Sequence, residues 1–138
     1  MLVIGWREWV SLPSLIETKI KAKIDTGART SSLHAFDIVE YKKGKKFYVE
    51  FSISPLQKSK KKTKRVTAEV IEYRKIKSSN GIESLRPVIQ TELQIGAKKI
   101  SIELTLTSRD EMGFRMLVGR QALKKNFLID PCKSFLQN

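Results

Sequence analysis

The chain has little of what most catalytic chemistry needs. Its 138 residues include one cysteine, Cys132, and one histidine, His34. A single cysteine rules out an intramolecular disulfide and points to a reducing compartment, so a cytoplasmic location is expected. A protein zinc site would need three or four ligands, and no HExxH or Cys/His cluster supplies them; no metal is expected. No glycine-rich phosphate loop ending in Lys-Ser/Thr occurs, which leaves nucleotide hydrolysis of that type unsupported. A Ser-His-Asp triad or a Cys-His pair could draw only on His34, and no local signature accompanies it. The opening Met1-Leu2-Val3-Ile4-Gly5-Trp6-Arg7-Glu8 is interrupted by charge and does not read as a signal peptide. No apolar run is long enough to span a bilayer, so no membrane partner is expected.

Basic side chains, by contrast, are abundant. Lys plus Arg number 27 against 14 Asp plus Glu, a net charge of +13, while 41% apolar and 30% charged residues are ordinary for a globular protein. The excess is local. Lys42, Lys43, Lys45, Lys46, Lys58, Lys60, Lys61, Lys62, Lys64 and Arg65 face only Glu50 in the same stretch. Such a field attracts nucleic acid, anionic lipid or an acidic polypeptide. It is equally consistent with a solvated loop, and residues 58–65 read as a mobile one because like charges repel and nothing apolar anchors them. Stacking aromatics in the basic segment are few, Tyr41, Phe47 and Tyr48, and Phe47 falls on a core face, which makes nucleic acid an unlikely partner.

The length suits a single domain over 1–138 that buries a core without staples. Period-two alternation dominates it. Ile20, Ala22 and Ile24 alternate with lysines and run into Asp25. Phe47, Val49, Phe51 and Ile53 form a second set, Ile89, Thr91, Leu93 and Ile95 a third, and Ile100, Ile102, Leu104 and Leu106 a fourth. Ser79-Asn80-Gly81 marks a turn between strands over Val66–Lys77 and Ile82–Ile95, and Gly96-Ala97 marks the next. Met116-Leu117-Val118 is continuously apolar, a strand buried on both faces. A short helix over Arg120–Lys125 and a last strand at Phe127-Leu128-Ile129 follow. The fold class is therefore all-β, a barrel or sandwich with one short C-terminal helix.

One constellation could carry chemistry. Lys23-Ile24-Asp25-Thr26-Gly27-Ala28 ends an apolar strand in a carboxylate, a hydroxyl and a glycine. Gly27 would let backbone N–H groups approach the carboxylate, and Thr26 could lock the turn. The same tripeptide is also ordinary turn chemistry. Far along the chain stands Met116-Leu117-Val118-Gly119-Arg120. The pairing of apolar-Asp-Thr-Gly-Ala with a later apolar-apolar-Gly-Arg resembles the signature of retropepsins. Longer stretches extend the likeness: Trp6-Arg7-Glu8-Trp9-Val10-Ser11-Leu12-Pro13, Ile24 through Ala35, Arg109-Asp110 with Met112-Gly113-Phe114, Gly119-Arg120 with Ala122-Leu123, and Phe127 through Pro131. Together they resemble a bacterial retropepsin-like family sometimes labelled "ATP-dependent zinc protease"; these residues support neither ATP nor zinc, and no cofactor is expected.

The resemblance implies a small closed barrel of the acid-protease type that works as a homodimer. Asp25, Thr26 and Gly27 would be the catalytic element, one aspartate from each chain activating water. Ala28, Arg29 and Arg120 would bind substrate, with Asn80 and Gly81 at the tip of a flap. His34, Asp110 and Gly119 would support the site, His34 through a structural hydrogen bond. Relatives are associated with ATP-grasp ligases that add glutamates to proteins, which implies an acidic peptide or protein substrate; an idle binding module for acidic proteins is the alternative. Viral retropepsins carry an acid where this chain has Arg29. Arg29 and Arg120 cannot pair, so each needs another anion, Asp110 first and Asp130 next, unless one arginine reads a substrate carboxylate. Trp6 and Trp9 are expected as core or interface anchors.

Overall fold

Twelve strands and one helical turn make up the chain in a computed structural model that describes residues 1–56, 61–77, 80–108 and 113–137. In order they are β1 Leu2–Gly5, β2 Arg7–Leu12, β3 Ile16–Ile24, β4 Ser31–His34, β5 Phe36–Lys43, β6 Lys46–Ile53, β7 Lys64–Glu69, β8 Glu72–Lys77, β9 Glu83–Ile95, β10 Lys98–Thr107, β11 Met116–Val118, α1 Arg120–Leu123 and β12 Phe127–Asp130. The alternating lysines of β3 leave Ile20, Ala22 and Ile24 on one buried face, and β9 and β10 do the same with Leu93, Ile95, Leu104 and Leu106. No helix among the described residues is long and apolar enough to cross a membrane.

The largest sheet runs β10-β4-β11-β3-β2-β9-β8, and β9 also pairs with β10. Six strands therefore close into a ring, which removes their edges, and β8 lies outside it against the first half of β9. Alternation left barrel and sandwich both open; the ring is the closed all-β barrel that the resemblance implies. A three-stranded sheet, β5-β6-β7, and the parallel pair β1-β12 complete the molecule.

The position of β11 shapes the site. It lies between β3, parallel to it, and β4, antiparallel to it. Residues 25–30, which join β3 to β4, must therefore cross the end of β11. Met116, Leu117 and Val118 are all buried there, as a continuous apolar run requires.

Several expectations are corrected. The run Val66–Lys77 is two strands in two sheets, not one. Val70 N–H donates to Phe47 O and Ile71 N–H to Val88 O, so adjacent residues bond to different sheets and the chain changes partner between them. Phe47 is 47% exposed rather than on the core face, since β6 outruns the core at its start; it meets Tyr73 edge-on instead. Lys64 and Arg65 belong to β7, where Arg65 Nε donates to Glu50 Oε2 at 2.8 Å, so the basic segment is anchored at that end. Of the expected mobile loop, residues 58–60 lie outside the described residues. The helix stops at Leu123, because Lys124 has ψ 130° and Lys125 φ +67°.

The tail is tied down by a residue the alternation disguised. In β2 Glu8, Val10 and Leu12 are all fully buried. The Glu8 carboxylate accepts N–H groups from Gly5 at 2.7 Å, Leu136 at 2.9 Å and Gln137 at 3.1 Å. Trp9 stacks on Phe135 of that tail, and Trp6, at the surface, meets Phe114 edge-on.

Candidate active site

Asp25 follows the last residue of β3 directly. Its N–H donates to Val118 O at 2.9 Å and so extends the β3–β11 ladder by one rung. The carboxylate consequently leaves the sheet at a defined point. Gly27 N–H donates to Asp25 Oδ1 at 3.0 Å, and Ala28 N–H to the Asp25 carbonyl at 3.2 Å. A Cβ on Gly27 would lie 3.1 Å from Oδ1, so the missing side chain is what lets this backbone approach the carboxylate. Asp25 is half-buried, and Thr26 and Gly27 are exposed.

The second motif locks the loop from below. Arg120 N–H donates to Ala28 O at 2.7 Å and Gln121 N–H to Arg29 O at 3.1 Å. Gly119 N–H donates to Ser31 Oγ at 3.0 Å. A Cβ on Gly119 would stand 2.8 Å from Thr30 C and 2.9 Å from Ala28 O, closer than side chains approach backbone. The Gly-Arg pair is thus a seat for the Asp-Thr-Gly loop, which explains the coupling of two motifs so distant in sequence.

A cleft of about 340 Å³ opens beside the carboxylate. Asp25, Gly27, Ala28 and Thr30 line it together with Ile76, Lys77 and Arg86 of the β8–β9 hairpin. Lys77 and Arg86 were not singled out from the sequence. Arg86 is 6% exposed and its Nε donates to Ser84 Oγ at 3.0 Å. Arg74, also unforeseen, ties the hairpin to the loop: its guanidinium meets Thr30 Oγ1 at 3.2 Å, Glu72 at 2.9 Å and Glu103 at 3.0 Å. The hydrogen bond that it donates to Glu72 leads in pushing its pKa further up. The only signal in the sequence was the turn that builds the hairpin; which of its residues line the cleft depends on register.

Other expected site residues lie elsewhere. Arg29 and Arg120 line a separate depression of about 550 Å³ with Thr26, Lys124 and Phe127, without Asp25. Arg120 Nη1 donates to the neutral backbone carbonyl of Thr26 at 2.9 Å. Asp130, second choice as an anion for the arginines, accepts the Cys132 N–H at 3.0 Å. Asp110 and Ser79 lie outside the described residues. Asn80 and Gly81 sit exposed at the hairpin tip, away from the cleft walls. His34 is half-buried, and its Nδ1 is buried without a hydrogen-bond partner among the described residues, so the structural bond expected of it is not made there. No group of three or more His, Cys, Asp or Glu side chains that could hold a metal ion occurs among the described residues.

Comparison with known proteins agrees with the all-β fold. A family model described as retropepsin-like aspartic endopeptidase RimB matches residues 3–138. A probable alpha-L-glutamate ligase of Shewanella pealeana is 45% identical over 133 residues, 96% of this chain and 29% of the ligase. Another, from Parasynechococcus marenigrum, is 43% identical over 130 residues, 94% of this chain and 28% of the ligase. The chain thus spans under a third of these curated relatives. A crystal structure of a Legionella pneumophila protein of unknown function matches with a TM-score of 0.80 and 28% identity, over 99% of this chain and 98% of that one.

Proposed function

The chain belongs to the RimB-like family of retropepsin-like aspartic endopeptidases, and on that premise we propose that it cleaves acidic, glutamate-rich polypeptides as a homodimer. The observation that carries the reading is Asp25: a half-exposed carboxylate on the wall of a cleft, its backbone held by Val118 and Ala28 and its Oδ1 by Gly27. One such carboxylate per chain calls for a second copy. Two Asp25 groups meeting across a two-fold axis at about 3 Å cannot both ionise, so they hold one proton between them. The ionised partner takes a proton from water as its oxygen attacks the scissile carbonyl. The protonated partner gives its proton to the carbonyl oxygen. Collapse of the resulting diol breaks the C–N bond and returns a proton to the amine. The β8–β9 hairpin closes over the peptide through Ile76 and Lys77.

Lys77 and Arg86 support the acidic substrate, since they bring two cations to the cleft that Asp25 also lines, and the net charge of +13 draws such a substrate in. The name of the curated relatives, probable alpha-L-glutamate ligase, supports a substrate rich in glutamate. A lone exposed Cys132 suits a cytoplasmic setting.

The test is a panel of glutamate-rich and neutral peptides with wild type and Asp25→Asn. Wild type should cleave the acidic peptides, with activity per mole rising with protein concentration through the dimer dissociation constant. Asp25→Asn should fold and cleave none. Undiminished cleavage by that variant removes the aspartic mechanism. Binding of acidic peptides with cleavage by neither protein would make the domain a binding module instead.

A further inference from the structure

The cleft continues past Asp25 along β4. Ser32 and His34 are two apart on that strand and so project to one face. Thr105 and Thr107 of β10 stand beside them in register. Ser32 and Leu117 are shared between the Asp25 cleft and a hollow of about 10 Å³ that also takes in His34, Thr107 and Arg115. His34 and Arg115 are in turn shared with an outer pocket of about 280 Å³, completed by Phe36 and Ser54. Three adjoining depressions therefore form one furrow with a shallow saddle in its middle. At a strand rise of about 3.3 Å per residue, His34 lies roughly 7 Å beyond Ser32, some two residues further along an extended peptide.

The far end of the furrow has unused hydrogen-bonding capacity. His34 is fixed through its backbone, whose N–H donates to Arg115 O at 2.7 Å. Its Nδ1 is nevertheless buried and without a hydrogen-bond partner among the described residues. A buried polar nitrogen in that state is costly, and its persistence asks for an occupant. Arg115 adds a cation beside it, the Phe36 ring lies 6.3 Å from the imidazole, and no Asp or Glu among the described residues lines the hollow or the outer pocket. An imidazole N–H next to a guanidinium suits a carboxylate, which accepts from both.

We infer that His34 and Arg115 form a distal subsite that takes the side-chain carboxylate of a substrate glutamate or aspartate a few residues from the bond held at Asp25. The inference rests on the endopeptidase reading and adds to it a position at which acidity is read. Phe36 packs against the side-chain stem, and the neighbouring Ser32 and Thr105 hydroxyls line the path of the peptide.

The probe is a graded series of C-terminally amidated oligoglutamates, measured for binding to Asp25→Asn and for cleavage by the otherwise unaltered chain. At the length that reaches the outer pocket, affinity should step up by about ten-fold or more, as a charge-assisted hydrogen bond warrants. His34→Phe, in either background, should remove the step and leave shorter peptides unaffected; it breaks no bond of Nδ1, so its fold should survive. His34→Asn, which keeps an N–H of similar reach, should retain part of the step. Replacing the one reaching glutamate by glutamine should weaken binding to the parent chain and cost nothing further in His34→Phe. A smooth dependence on length, or an equal loss at every length in His34→Phe, would overturn the subsite. Cleavage without a step removes the subsite and leaves the endopeptidase. A step in binding without any cleavage does the reverse.

Discussion

Replacing Gly119 by alanine tests the seat of the Asp-Thr-Gly loop. The added Cβ would stand 2.8 Å from Thr30 C, 2.9 Å from Ala28 O and 3.0 Å from Thr30 O, whereas ordinary contacts begin at 3.4 Å. The shortfall, 3.4 less 2.8, is 0.6 Å, and the atoms that must yield are backbone of the loop carrying Asp25 or of the turn into α1. Overpacking of this kind costs about 1–3 kcal/mol, which for a chain of this size lowers the melting temperature by roughly 4–10 °C. The effect on chemistry should be larger than stability alone suggests. A displacement of about 1 Å can cost on the order of a hundred-fold in rate, so the smaller shift here should lower kcat by about ten-fold. Two assays check this: peptide cleavage below the melting transition, and hydrogen exchange at the Asp25 and Arg120 amides, which Val118 O and Ala28 O protect. Gly44→Ala is the control. Its Cβ meets nothing within 4 Å, and only its φ of +64° is strained, so it should lose about 1 kcal/mol and no activity. Wild-type melting and turnover in Gly119→Ala, or an equal activity loss in Gly44→Ala, would refute the argument.

Three further outcomes are expected. Glu8→Ala leaves three N–H groups of Gly5, Leu136 and Gln137 without their carboxylate; urea unfolding should show a loss of about 3 kcal/mol, and a loss below about 0.5 kcal/mol would mean the tail is held by other contacts. The Tyr73 phenol is pushed up to about 12, first by its hydrogen bond to Glu40 and then by burial. Because the folded pKa lies above the unfolded one, its contribution to stability is present below about pH 10 and lost as pH rises through 12. Absorbance titration should therefore show one of the three tyrosines ionising late, and Glu40→Gln should bring it back toward the others. Neutralising Lys61, Lys62 and Lys64 should slow capture of acidic peptides mainly at low salt; an unchanged salt dependence of the on-rate would exclude steering by this segment.

Much of the fold was legible along the chain because alternation is a local property. In β3, β9 and β10 each residue's face follows from its neighbours two positions away, whereas Asp25-Thr26-Gly27 at the end of β3 stood out only together with the later Gly119-Arg120 pair, through the resemblance to retropepsins. Gly119 and Arg120 were visible as a motif, and the structure supplies the reason: β11 threads between β3 and β4, so the loop at residues 25–30 must rest on whatever follows Val118. That insertion pairs strands far apart in sequence, and no local pattern encodes it.

Register settled the rest. Val66–Lys77 reads as one uninterrupted strand, and only the separate claims of Phe47 O and Val88 O on Val70 and Ile71 divide it. Glu8 alternates like a core residue and is one in position, but a buried carboxylate is tolerable there because Gly5 and a tail distant in sequence bring it N–H groups. The cations that share the cleft with Asp25 are Lys77 and Arg86, from a hairpin whose residues at the cleft are chosen by pairing. Arg29 and Arg120, which belong to or adjoin the two retropepsin-like motifs in sequence, line another depression. The sequence by itself determined which residues could do chemistry and which strands could form. Which charges meet at one cleft was decided by tertiary structure, because side chains converge there through strand order and register rather than through proximity along the chain.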